Sequence, residues 1–149
     1  MVHTGKIRGI ARDTLHFILE ASRSSHPLEF IGLLRPIDDV IAEVLLIPGS
    51  EASDRAATLR FDMVPLTSGS VGTVHSHPSP SPKPSQEDLF FFSRHGKIHI
   101  ITAYPYTEDS WRCYDEAGRE RTLEVLDVEL PSDDLWEDEY DLWAEEDLS

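Results

Sequence analysis

Apolar and polar positions follow two different periods along this chain, and each change of period marks an element. From about Gly9 to Ser24, residues Ile10, Ala11, Thr14, Leu15, Ile18 and Leu19 recur at helical spacing, with Arg12, Asp13, Glu20 and Arg23 on the other side. This predicts an amphipathic helix. Ser24-Ser25-His26-Pro27 ends it, because the residue before a proline is pushed out of helical geometry. Leu28 to Leu34 then reads as a short apolar strand, Pro36 to Asp39 as a turn, and Val40 to Ile47 as a strand completing a hairpin. Glu29 is the anomaly, since a carboxylate in an apolar strand is costly without a partner. By local pattern alone it reads as lying just outside the core and solvated. Pro48 to Ala57 is a polar loop, and Thr58 to Met63 reads as a strand with Leu59, Phe61 and Met63 on one face. After a loop from Pro65 to Gly69, Val71 to Val74 is a short apolar strand. A helix is expected from Gln86 to Arg94 or His95, with Gly96 as its C-cap. Lys97 to Tyr104 reads as a central strand. Ser110 to Tyr114 and Arg119 to Glu129 read as two more, joined by the turn Asp115 to Gly118.

Composition narrows the class. A chain of 149 residues with 40% hydrophobic content suits one domain with a substantial core. No apolar run approaches the roughly 18 residues of a membrane span. Met1 to Lys6 has no apolar segment of signal-peptide type, which predicts a cytoplasmic protein. The one cysteine, Cys113, excludes an internal disulfide and a cysteine-rich zinc site, and reads as a buried structural thiol. A net charge of −15 argues against nucleic acid or an anionic membrane as partner, since both require a basic surface. It suits a basic protein partner or a salt-rich cytoplasm.

More than half of that charge lies in one place. From Pro131 onward there are nine acids and no base, with Trp136, Tyr140 and Trp143 spaced i, i+4, i+7. The chain thus divides into a domain over residues 1–130 and an acidic aromatic tail over 131–149. The tail reads either as an amphipathic segment that docks on the domain or on a protein partner, or as a solvating acidic extension.

The densest chemistry is His75-Ser76-His77-Pro78, followed after six residues by Ser85-Gln86-Glu87-Asp88. Residues i and i+2 of a strand share a face, so His75 and His77 project together. Ser85 stands at a helix N-cap, with Asp88 at the third helical position. Strand end, loop and helix start bring His75, His77 and Asp88 to one point. Three N/O ligands with room for a water is the pattern of a catalytic zinc site. Each residue has a plainer reading as well. Ser85 and Asp88 form a capping box without any chemistry, and His95 and His99 need no metal.

This run, with Glu29 upstream, resembles the JAMM (MPN+) zinc metalloprotease signature, and the order of elements over about residues 7–128 is similar to the small prokaryotic JAMM domain. The resemblance implies an α/β fold of cytidine-deaminase-like type, a mixed sheet flanked by helices. It implies zinc-dependent hydrolysis of peptide or isopeptide bonds at the C-terminus of ubiquitin-like modifier proteins. On this chain it makes His75, His77 and Asp88 ligands of a single Zn2+ with a water in the fourth position, Glu29 the general acid/base, and Ser85 the donor to the oxyanion. No long zinc-bearing insertion follows the helix, which implies an open cleft bordered by the loop from Glu51 to Gly69. Two other readings of the same residues are a hydrolase of small peptides or ubiquitin-like sulfur-carrier adducts, and a metal-containing binding or scaffold module.

Overall fold

The computed structural model describes residues 6–46 and 69–130. The expected strand at Thr58–Met63, the cleft-bordering loop and the acidic tail lie outside the described residues. The elements are β1 (Gly9–Ala11), α1 (Arg12–Ser25), β2 (Ile31–Ile37), β3 (Val40–Leu46), β4 (Gly72–His77), α2 (Gln86–Phe92), β5 (Ile98–Ala103), β6 (Trp111–Tyr114), β7 (Glu120–Arg121) and β8 (Glu124–Leu126). The fold is α/β, as expected: one mixed sheet in the order β7-β6-β5-β4-β2-β3-β1-β8.

The two helices cover opposite faces of this sheet. Leu15, Ile18 and Leu19 of α1 pack with Leu34, Val74 and Ile100, while Phe91 and Phe92 of α2 pack with Ile31, Leu33 and Ile101. Strand alternation accounts for the division, because even-numbered side chains of β2, β4 and β5 meet α1 and odd-numbered ones meet α2. The N-cap of α1, Ala11, offers no side-chain hydrogen bond. A cap is worth about 1 kcal/mol, whereas each buried Leu or Ile contributes roughly 1.5–3 kcal/mol. Burial of one face therefore holds α1 in place.

Four expectations need correction. Gly9 to Ala11 is a strand, and the helix begins at Arg12. All three residues are buried and pair in parallel with β8, Gly9 and Ile10 also with β3, and these ladders outweigh the helical spacing of Ile10 and Ala11. A Cβ on Gly9 would lie 2.3 Å from the Glu124 carbonyl, so this approach requires glycine. The first strand of the hairpin starts at Ile31 rather than Leu28 and runs through Pro36, which a β-bulge accommodates. The second helix ends at Phe92 with Ser93 as its C-cap. Gly96 instead turns the chain, at φ +108°, into β5. Finally, the segment Arg119–Glu129 is two strands at opposite ends of the sheet. β7 pairs with β6, and β8 pairs with β1. Only two residues separate them, a span of at most about 11 Å between Arg121 and Glu124, so the sheet curls until its two ends nearly meet.

Candidate metal centre

β4 carries both histidines. It extends through His77, lying antiparallel to β2 and parallel to β5. His75 is buried and His77 half-buried, on the face covered by α2. The Pro/Ser loop then returns the chain to the start of α2. There Asp88 N–H donates to Ser85 Oγ at 3.1 Å, and Ser85 N–H donates to Asp88 Oδ2 at 2.9 Å. This reciprocal box fixes the rotamer of Asp88 and turns its carboxylate toward β4.

Three donor groups meet there. His75 Nε2 and His77 Nε2 are 3.1 Å apart. Asp88 places Oδ1 3.2 Å from His75 Nε2 and Oδ2 3.1 Å from His77 Nε2. The edge of a tetrahedron with zinc–nitrogen bonds of about 2.0–2.1 Å is about 3.3 Å, so the spacing suits three ligands of one such ion. The tautomer of His77 supports the same reading. Its Nδ1 lies 3.1 Å from the Ser81 carbonyl, which can only accept, so Nδ1 carries the proton. In the neutral ring Nε2 then presents a lone pair to the cluster. Lone pairs and a carboxylate converging at this distance repel unless they share a cation. Without a metal ion, protons shared between the imidazoles and Asp88 take the cation's place: burial works against the charge of Asp88, but hydrogen bonds from His75 and His77 outweigh it and hold its carboxyl well below the usual range.

Glu29 completes the cluster. It precedes β2, half-buried, with a carboxylate oxygen within 4.8 Å of ligand-capable nitrogens of His75 and His77. Its charge reaches Tyr106, whose phenol is pushed up by burial first and by Glu29 next. Glu29, His75, His77 and Asp88, from three separate segments, are therefore together in the structure. Ser85 lies at the edge of the group, its hydroxyl oxygen accepting from Asp88 N–H.

Two residues of this region carry no signal in the sequence pattern. Buried Tyr106 donates its hydroxyl to the His77 carbonyl at 3.2 Å and pairs with His26 Nδ1 at 2.7 Å. Ser76, between the histidines, bonds twice to Phe30. The remaining expectations fare simply. His99 is buried, donating from Nε2 to the Gly96 carbonyl and accepting at Nδ1 from Thr73. Burial pushes its pKa down to about 4, so it is a neutral structural group. Cys113 is buried and free, its thiol pushed up to about 11 by burial. Among the described residues, no helix is long and apolar enough to cross a membrane.

The family profile described as prokaryotic homologs of the JAB domain matches residues 11–114. The chain belongs to the prokaryotic JAB-domain family. A probable metalloprotease of Haloferax volcanii is 42% identical over 135 residues, covering 84% of this chain and 83% of the relative. The crystal structure of a JAB1/MPN domain protein from Archaeoglobus fulgidus is 44% identical, with a TM-score of 0.66 over 83% of this chain and 100% of the other. A structure described as a JAMM metalloprotease-like zinc site in the proteasome and signalosome is also 44% identical, with a TM-score of 0.66 over 82% of this chain and 100% of that one. Together with the histidine–carboxylate cluster, this membership supports a zinc metallopeptidase of the small prokaryotic JAMM/MPN+ type.

Proposed function

We propose that this JAB-domain protein is a zinc peptidase that cleaves peptide or isopeptide bonds at the C-terminus of ubiquitin-like modifier proteins. The observation that carries the reading is the convergence of His75, His77 and Asp88 at 3.1–3.2 Å with the Glu29 carboxylate beside them. His75, His77 and Asp88 would hold one Zn2+. Zinc bound there supplies Lewis acidity, bringing a water toward a pKa of ~7 and polarising the scissile carbonyl. Glu29 accepts the proton of the attacking water and returns it to the leaving amine. Ser85 stands at the start of α2, with its hydroxyl oxygen already accepting from Asp88 N–H. Its own O–H remains to be donated to the oxyanion of the tetrahedral intermediate. The Ser81 carbonyl keeps His77 in the tautomer that ligation needs.

The choice of a modifier tail over a small peptide follows from the family resemblance. It is tested by incubating the chain with a panel of ubiquitin-like conjugates and short peptides, with and without a chelator, and reading products by mass spectrometry. Chelator-sensitive cleavage immediately after a modifier C-terminus supports it, and cleavage confined to the short peptides overturns it. Ser85→Ala is expected to keep its zinc and to slow turnover by roughly two orders of magnitude. An unchanged rate would remove Ser85 from the oxyanion role.

A further inference from the structure

The residue between the two histidines points away from them. Alternation along β4 sends Ser76 to the α1 face, where it is fully buried. Its backbone N–H donates to the Phe30 carbonyl at 2.9 Å, and its Oγ accepts from the Phe30 N–H at 2.8 Å. The neighbouring pair, Ile31 with His75, belongs to the regular antiparallel ladder. Had the ladder continued, the Phe30 amide would be paired with the Ser76 carbonyl. The hydroxyl takes that amide instead. The ladder ends there, and the chain leaves the sheet one residue before Phe30, at Glu29.

We infer that Ser76 is a positioning residue for the reaction, whose hydroxyl sets where Glu29 stands relative to His75 and His77. The inference rests on the reading of Glu29 as the proton carrier. Phe30 is the residue after Glu29 and is itself buried in the main core, which anchors its side chain. Both of its backbone groups are tied to one residue, and that residue is flanked by the two histidines. The general base and two of the metal-capable side chains are thus indexed to each other through a single side-chain oxygen. In Ser76→Ala the Phe30 amide loses this acceptor, and it either stays unpaired or drops onto the Ser76 carbonyl. Each outcome displaces residue 29 while leaving His75, His77 and Asp88 where they are.

The test uses the full zinc-loaded chain, with the Ser76→Ala, Glu29→Gln and double variants. Ser76→Ala is expected to lower kcat roughly ten- to a hundredfold, as misplacement of a reacting group by about 1 Å does, with KM and zinc content unchanged. The Phe30 amide, followed by NMR, is expected to shift its resonance, and its exchange with solvent deuterium to speed up at least tenfold where it is left unpaired rather than dropped onto the Ser76 carbonyl. In the Glu29→Gln background, read under single-turnover conditions, adding Ser76→Ala should change the residual rate less than twofold, because Ser76 acts through Glu29. An equal loss in both backgrounds overturns the inference, as does turnover within twofold of the unsubstituted chain. If Ser76→Ala is insoluble, Ser76→Cys, of similar shape but a weaker acceptor, carries the same comparison. A zinc-loaded unsubstituted chain without turnover overturns the peptidase reading itself. Turnover that Ser76→Ala leaves intact overturns only the assignment of Ser76.

Discussion

Glu29→Gln is expected to lower hydrolysis by roughly three to four orders of magnitude while zinc content stays at that of the unsubstituted chain. Glutamine has nearly the same shape as glutamate but cannot take a proton from water. The two properties separate because of where Glu29 lies. The closest group of donors, at 3.1–3.2 Å, is His75, His77 and Asp88, and Glu29 approaches from the segment before β2. Metal analysis beside a peptide-cleavage assay checks this. Turnover near that of the unsubstituted chain would end the assignment of Glu29 as the proton carrier, and loss of zinc would make it a ligand instead.

The second large effect is expected at Asp88, which serves two structures at once. Its Oδ2 accepts from the Ser85 N–H as the return half of a capping box, and the same carboxylate faces both histidines. Asn in its place can still accept from Ser85 N–H, because its side-chain oxygen remains. It cannot offer an anionic oxygen to a cation. Asp88→Asn should therefore keep the metal-free stability of the chain within about 1 kcal/mol, the worth of a helix cap. Zinc binding should fall by at least about a hundredfold and turnover below detection. Asp88→Ala removes both functions and should be the less stable of the two. Urea unfolding of the metal-free proteins, with zinc titration of each, checks the separation. Zinc affinity unchanged in Asp88→Asn would remove Asp88 from the ligand set.

Much of this was legible in the sequence, for physical reasons that differ between elements. The β2–β3 hairpin and β5 are mostly apolar, and their composition marks them, while β4 was marked by the short apolar run that leads into its histidines. His75, His77, Ser85 and Asp88 lie within fourteen residues, so strand alternation and helix capping suffice to bring them together. Glu29 is different. Its local pattern reads as a solvated carboxylate, and only the family resemblance linked it to histidines forty-six residues away. Ser76 and Tyr106 were not legible, because each acts through a main-chain contact to a distant segment and neither breaks any local pattern. β1 was hidden because Ile10 and Ala11 also fit the helical period. The division of Arg119–Glu129 was hidden because strand propensity does not say which partner a strand will find.

That division has a consequence for how the chain folds. β8 lies in parallel register with β1, so Gly9 meets Glu124 about 115 residues later in the sequence. All four side chains of the candidate site precede Phe90, and the ladders that hold them, β2 with β3 and β2 with β4, join residues at most 44 apart, as Ile31 and His75 are. The pairing of β1 with β8 is the most distant in the sheet, and contacts of such long range carry the largest loop-closure cost and tend to form late. The candidate site is thus translated early, but the pairing that completes the sheet waits for β8, the last of the described strands. A chain stopped before Glu124 keeps every residue of the site and leaves Gly9, Ile10 and Ala11 as an open, buried-type edge, the form most exposed to pairing with other chains.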